Sequence, residues 1–414
     1  MKKRYLVVGI GGRGIGMFVQ PILKMFPDVA ELAGLCDINL TRMKNVCKDL
    51  NINVPLFTDL DEALKKLKPD RVICCTRDSA HDKVIVKGLL AGCDVITEKP
   101  MTIDDARCRA ILAAEKKSGR KVTVTFNYRY ATLHTHLKRA LMDGRIGQPY
   151  SADFNWYLDC HHGTDYFRRW HAHMANCGGL LVHKATHHFD LINWWLDDEP
   201  EAVFAFGARN VFGPGKRANP PAAEKRCMTC KNRCPYFWDI TASASAKKLY
   251  VDTEQDGDRY IRDGCVFRDG IDIYDTMSVV VRYKGGKQLT YSLHAGLPYE
   301  GYRLAINGSK GRLDCFLPES GAPVRNIGGW EFTVTPIFSQ SEGQQTFFVP
   351  SGKGGHGGGD PVLLEHVFRG GGEKDPYGRA AGSWAGAMSI LIGVAANKSI
   401  ATGKAVRIAD LLRK

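Results

Sequence analysis

A lysine, a run of histidines, a glycine-rich turn and four cysteines are the residues of this sequence whose types and spacing can do chemistry. Lys99 stands in Thr97-Glu98-Lys99-Pro100-Met101, directly after the run Cys93-Asp94-Val95-Ile96. A lysine just past a buried strand, with an acid before it and a proline fixing the turn, is held at the carboxyl edge of a sheet, where open α/β folds bind ligands. An ammonium there can stabilise a developing alkoxide, and burial can lower its pKa enough for proton transfer. Seven of the thirteen histidines lie between His161 and His188, together with Arg168, Arg169, Lys184 and a single acid, Asp165. His183, His187 and Asp190 fall on one face of a helix. His187, an imidazole that titrates near neutrality without perturbation, is the candidate general base. Arginines are suited to forked contacts with carboxylate, sulfonate or phosphate, so an acidic group on the substrate is expected.

The third feature is Gly9-Ile10-Gly11-Gly12-Arg13-Gly14-Ile15-Gly16, which follows the strand-like Tyr5-Leu6-Val7-Val8 at once. The spacing of Gly9, Gly11 and Gly14 allows a tight turn, close approach of backbone to a diphosphate and close packing of the next helix. The helix amides and dipole would hold the phosphates. A second strand, Leu32 to Cys36, ends on Asp37. An acid there suits the adenosine ribose 2′-hydroxyl and favours NAD over NADP, a preference that Arg42 softens. The fourth feature is Cys227-Met228-Thr229-Cys230-Lys231-Asn232-Arg233-Cys234 within a Gly/Pro/Ala-rich insertion from Gly207 to Gly270. Cys227, Cys230 and Cys234, with Cys265 as a fourth ligand, could close on structural zinc; separate reduced thiols are the alternative, and iron–sulfur spacings differ.

These residues need elements to position them. Helical patterns over Met17 to Met25, Asp61 to Leu67, His81 to Leu90 and Ile103 to Lys117 alternate with strands at Arg71 to Cys75, Val95-Ile96 and Lys121 to Phe126. That alternation predicts a doubly wound parallel sheet over residues 1–128. Further on, Asp272 to Tyr283, Gln288 to His294 and Tyr302 to Asn307 alternate like strands, with turns at Lys284-Gly285-Gly286-Lys287 and Asn307-Gly308-Ser309-Lys310-Gly311. The 414 residues suffice for two domains. Met1-Lys2-Lys3-Arg4 precedes too short an apolar run for a signal peptide, and no run of ~18 to 20 apolar residues is expected to cross a bilayer. An odd thirteen cysteines fit reduced thiols in the cytoplasm. The net charge of +13 comes without a nucleic-acid-binding module, which favours small anions as partners.

With these residues in this order the chain resembles the Gfo/Idh/MocA family of oxidoreductases. The resemblance is carried by Gly9, Gly11, Gly14, Asp37, Thr76 with His81, Glu98-Lys99-Pro100 and Asn127, and it departs at Arg77, where the family usually has proline. It implies an NAD(P) site formed by Gly9, Gly11, Gly12, Arg13, Gly14, Asp37, Arg42, Thr76, His81, Glu98, Lys99 and Asn127. It also implies an α+β second domain, residues 129–414, on a large open, mainly antiparallel sheet whose free face makes a dimer or tetramer. A second signature, Gly178-Gly179 followed by His187 and Asp190, matches except that His183 stands where the family usually has aspartate. The resemblance then gives Lys99, His187 and His183 as catalytic. Substrate contacts are expected from Lys99, Tyr128, Arg129, Arg168, Arg169, His171, His183, Lys184, His187 and, in an HGG-D loop ending at Asp360, His356; Glu98 would orient Lys99. The expected activity is NAD-dependent oxidation of a sugar or glycoside, most plausibly at carbon 3. Alternatives are a redox-neutral NAD-dependent glycosidase, which oxidises, eliminates, hydrates and reduces, and a non-catalytic sugar-binding protein that retains NAD.

Overall fold

The computed structural model describes residues 2–216, 225–231, 233–257, 259–324, 327–370 and 375–413. Part of the expected insertion, residues 217–224, 232 and 258, lies outside the described residues. Two sheets organise the chain. The first contains β1 (Lys3–Val8), β2 (Ala30–Cys36), β3 (Leu56–Phe57), β4 (Arg71–Cys74), β5 (Asp94–Thr97) and β6 (Val122–Val124) in the order β3-β2-β1-β4-β5-β6, all parallel. Because β1 is flanked by β2 and β4, the strand order reverses at its carboxyl end and a crevice opens there. The apolar strands Tyr5 to Val8, Val72 to Cys74 and Val95-Ile96 are buried on both faces, as a sheet covered on both sides requires.

Helix Asp78–Leu90 begins three residues after Cys75 at the crevice, and helix Asp105–Ser118 is capped by Asp104, whose side chain accepts from Arg107 N. After Gly11 the chain enters a composite helix: an α turn at Gly12–Gly14, a π segment at Ile15–Val19 and a second α turn at Gln20–Lys24. Regular α-helical periodicity over Met17 to Met25 does not disclose that π segment.

The second sheet has nine strands: β7 (Pro149–Asp159), β8 (Pro200–Ala208), β9 (Thr276–Tyr283), β10 (Gln288–Leu297), β11 (Gly301–Gly308), β12 (Gly311–Pro318), β13 (Gly329–Pro336), β14 (Gln345–Pro350) and β15 (Val406–Arg407). Their order is β14-β13-β12-β11-β7-β10-β9-β8-β15, antiparallel throughout except for the parallel β7–β10 pair. On β9 the alternation Met277, Val279, Val281, Tyr283 is buried while the residues between face out, which fixes the register. Helices Thr186–Leu196 and Ser383–Thr402 cover the buried face. The latter is long and apolar enough to cross a membrane by length and composition, yet two-thirds of its most apolar window is buried against β8 and its neighbouring helices. Helix Gly359–Arg369 returns to the first sheet, where Leu363, Leu364, Val367 and Phe368 join Tyr5 and Phe26 in one core. Late residues of the chain, His356 and Asp360 among them, are thereby brought to the crevice.

Candidate active site

The glycine turn shows why its residues must be glycine. Gly9 has φ +94°, and a Cβ on it would collide with the backbone of Cys75 and Thr76; one on Gly14 would strike the carbonyl of Gly9. Gly11 and Gly12 line the crevice, and a Cβ on either would meet only the hydroxyl of Tyr250, at 3.9 and 3.4 Å. The Asp37 carboxylate at the end of β2 accepts from Ile10 N at 2.6 Å and Asn39 N at 2.8 Å, and Arg42 lies 3.6 Å away. A carboxylate has further lone pairs for ribose hydroxyls.

At the far end of the crevice, Asn127 donates to Asp360 at 2.7 Å while its buried Oδ1 has no hydrogen-bond partner among the described residues. A cradle without Cβ atoms, an acid at β2 and an orphaned acceptor near Lys99 together fit a dinucleotide. The cleft that contains them has a volume of about 790 Å3 and is lined by Gly9, Gly11, Gly12, Arg13, Asp37, Arg42, Thr76, His81, Glu98, Lys99, Asn127, Arg169, His171, His183, His187 and His356. Gly14 lies behind the turn.

His81 is a strut rather than a ligand group: Nδ1 faces Pro100 O at 2.8 Å and Nε2 faces Thr76 O at 3.1 Å, joining the loops after β4 and β5. Burial keeps its pKa below the usual value. Glu98 does not orient Lys99. It accepts from Arg13 Nε at 2.8 Å, and Arg13 in turn faces Asp360, which also takes His356 Nδ1 at 2.9 Å. Lys99 has no hydrogen-bond or ion-pair partner among the described residues, and burial, then Lys184, lowers its pKa to about 8.

His187 stacks on Tyr128 with ring centroids 4.4 Å apart, and its buried Nδ1 is unpartnered among the described residues. Burial and the nearby Lys99 hold its pKa well below the usual value, so it is an uncharged proton acceptor at neutral pH. His183 meets Asp78, the first residue of helix Asp78–Leu90, through an Nδ1 contact of 2.5 Å. Burial raises the Asp78 carboxyl well above its ordinary range and lowers both His183 and His171 well below theirs. Asp78, His171 and His183 place three ligand atoms within 4.8 Å of one another. Lys99 and Arg169 act on these same histidines, however, and their field opposes a divalent cation and favours a shared proton.

Several expected contacts lie elsewhere. Arg129 is interior, donating to both oxygens of Asp190 at 2.7 and 2.6 Å. Arg168 turns away from the cleft to Cys227 Sγ at 2.9 Å and to the carbonyl of Tyr236. Tyr128 and Lys184 line an adjoining groove of about 1390 Å3 that meets the first cleft at His356. There Lys184 pairs with Glu300 at 3.3 Å, and Glu300 also faces His162 at 2.8 Å.

The zinc expectation is not supported. None of the thirteen cysteines is in a disulfide, and Cys227, Cys230, Cys234 and Cys265 do not form a set as tightly convergent as that of Asp78, His171 and His183 among the described residues, although Cys227 and Cys234 lie near Cys265. A buried ionic knot holds the insertion instead: Arg226 donates to Glu254 at 2.9 Å and to fully buried Asp263 at 2.7 Å, and Asp263 also accepts from Met228 N at 2.7 Å. Residues that the sequence reading missed are Asp78, Tyr166, Trp170, Tyr250, Tyr260 and Arg262, all lining the cleft. Asp78 had a local signal, since it opens the helix two residues after Thr76; the three insertion residues had none, because only tertiary folding carries them to the crevice.

A dinucleotide cradle at the switch point of a doubly wound sheet, with a lysine and neutral histidines at its inner end, defines a nicotinamide-dependent oxidoreductase class of site. The model described as "Oxidoreductase family, NAD-binding Rossmann fold" matches residues 3–126, and that described as "Oxidoreductase family, C-terminal alpha/beta domain" matches residues 138–408. The chain belongs to this Gfo/Idh/MocA oxidoreductase family. It is 42% identical to YteT of Bacillus subtilis (strain 168), an oxidoreductase by name, over 99% of both chains. It is 23% identical to the inositol 2-dehydrogenase/D-chiro-inositol 3-dehydrogenase of Lactiplantibacillus plantarum, over 50% of this chain and 55% of that protein. Among solved structures, levoglucosan dehydrogenase in complex with NADH and levoglucosan superposes with a TM-score of 0.69 at 16% identity, over 99% of this chain and 100% of that one.

Proposed function

We propose that the protein oxidises a ring hydroxyl of a sugar or glycoside, with carbon 3 as the reacting centre and NAD as acceptor. The observation that carries this reading is the pairing of Lys99 with His187 at the inner end of the dinucleotide cleft: one cation without a fixed partner and one neutral imidazole with a free buried nitrogen. When bound, NAD supplies the hydride acceptor. His187 takes the hydroxyl proton, Lys99 stabilises the alkoxide charge as it develops, and Tyr128 fixes the His187 ring by stacking. Trp170, half-buried on the cleft wall and stacked 3.5 Å from His171, offers a flat apolar face to a sugar ring. The relatives named as inositol and levoglucosan dehydrogenases support polyol or sugar substrates.

Arg169 and Arg262 share the single acid Asp165, leaving a net positive charge on the cleft wall, and this supports a substrate with an acidic group. A homo-oligomer is proposed through the open face of the second sheet, where Phe206 and Val280 are exposed on adjacent strands. Thirteen cysteines without a disulfide among them support a reducing, cytoplasmic location.

The second reading, a redox-neutral glycosidase, is favoured by the Asp78–His183 pair: elimination after oxidation needs another proton acceptor besides His187, and this dyad supplies it. The same groups argue against a protein that merely retains NAD. Incubating the protein with NAD and neutral and acidic sugars and aryl glycosides, with absorbance at 340 nm and aglycone release followed together, tests both. NADH accumulation supports the first reading and aglycone release without net NADH the second. Neither signal from any sugar refutes both.

A further inference from the structure

The insertion does not hang from the second domain as a separate appendage. Residues 247–257 lie across the outer edge of the dinucleotide cleft and are fastened to the first domain at several points. Asn39, fully buried, donates from Nδ2 to Thr253 O at 2.8 Å while its Oδ1 caps the helix after β2. Arg42 Nε donates to Leu249 O at 3.2 Å, Lys248 pairs with Asp49, and Leu249 packs on the same core as Val7 and Met43. Thr253, 1% exposed, is closed off from solvent by the contact.

At the centre of this segment Tyr250 accepts from Gly12 N at 3.2 Å through its hydroxyl. Gly12 lies on the glycine turn, whose backbone N–H groups bind the dinucleotide diphosphate in such folds. The Tyr250 ring is flanked by Arg42 at 5.8 Å and Arg262 at 5.7 Å. Tyr260, facing Arg77 at 5.6 Å, continues the wall toward the inner cleft.

We propose that residues 247–257, with Tyr260 and Arg262, form an outer wall of the cofactor site that holds the dinucleotide in place, Tyr250 bonding its diphosphate and Arg42 and Arg262 supplying compensating charge. A ligand seated between the glycine turn and this wall is enclosed by both domains. Release requires the contacts at Asn39, Arg42 and Asp49 to open together, so the cofactor exchanges slowly compared with a cleft bounded by the first domain alone. The inference needs only dinucleotide binding and is independent of which sugar is oxidised.

Two measurements test it without reference to turnover. In the first, protein loaded with NADH is mixed with excess NAD and the decay of NADH fluorescence is followed; Tyr250→Ala should release NADH at least tenfold faster than the unaltered chain. In the second, hydrogen exchange of the unaltered protein is compared with and without NADH, and amides of residues 247–257 should exchange at least tenfold more slowly in the complex. The second decides the matter where the variant fails to fold. Equal release rates in a folded variant, or exchange in 247–257 that NADH leaves unchanged, would overturn the proposal. A chain that binds no NADH overturns the cofactor assignment itself, a failure distinct from a wall that does not retain it.

Discussion

Replacing Lys99 by methionine should make the protein more stable and inactive at once. Burial holds the Lys99 ammonium at a pKa of about 8, against 10.5 for a free side chain. One unit corresponds to 1.36 kcal/mol, so confining the charge costs the folded state about 3 kcal/mol when the lysine is protonated. The sign follows from linkage. The folded chain binds this proton less tightly than the unfolded chain, so the cost is fully present below pH 8 and disappears as the pH rises from about 8 to 10.5. Methionine is unbranched like lysine, one heavy atom shorter, and removes the charge; Lys99→Met should therefore raise the unfolding free energy by about 2 to 3 kcal/mol at pH 7 and by little at pH 10.5. Urea unfolding of both proteins at the two pH values measures this. Turnover should fall by at least 10²-fold in the same variant while NADH binding is kept, since charge stabilisation of this kind commonly contributes that much or more. The unaltered enzyme should show the complementary pattern, losing activity as Lys99 deprotonates through about pH 8. A variant that is less stable at pH 7, or one that turns over normally, refutes the reasoning.

Other substitutions separate chemistry from architecture. His187→Gln should lower kcat by roughly 10²- to 10⁴-fold with unchanged NADH affinity, measured by steady-state kinetics and fluorescence titration. Arg129→Ala strands the Asp190 carboxylate in the core and should destabilise the fold by about 3 to 5 kcal/mol in urea unfolding, without changing KM in the folded protein. Asp263→Asn should loosen the insertion, seen as faster proteolysis within it, because Arg226 loses a buried partner. Dialysis against a chelator should leave that proteolysis pattern unchanged if the ionic contacts of Arg226 with Glu254 and Asp263 suffice to hold the segment, and a faster pattern would point to a metal there.

The parts of the site that could be read from the sequence are those whose neighbours in the chain are also neighbours in space. Gly9, Gly11, Asp37 and Lys99 each end or follow a strand of the first sheet, so a βα alternation is enough to place them at one edge. The histidine pair reaches the cleft by another route than the single helix face expected for His183, His187 and Asp190: the chain breaks into helices Leu180–His183 and Thr186–Leu196, His183 and His187 line the cleft from either side of the break, and Asp190 turns to Arg129. Arginine was harder: Arg129 and Arg168 sit beside true cleft residues in sequence, yet side chains at successive positions point in different directions, and each found a buried acceptor. Tyr250 and Arg262 were illegible because their position depends on the path of an insertion whose fastening, Asn39 to Thr253, spans 214 residues of chain. The cysteine spacing suggests zinc, for which the structure gives no support, whereas the buried contact of Asp263 with Arg226 has no motif around it to announce it.

The proposed reaction is hydride removal from a sugar carbinol at the Lys99–His187 site. It is tested most directly by mixing the protein, at concentrations stoichiometric with NAD, with sugars and glycosides carrying protium or deuterium at carbon 3 and recording absorbance at 340 nm through the first turnover. Bound NADH should appear in that turnover, more slowly from the deuterated substrate and not at all in Lys99→Met or His187→Gln. No NADH from any sugar, or NADH formed equally well by those two variants, would contradict it.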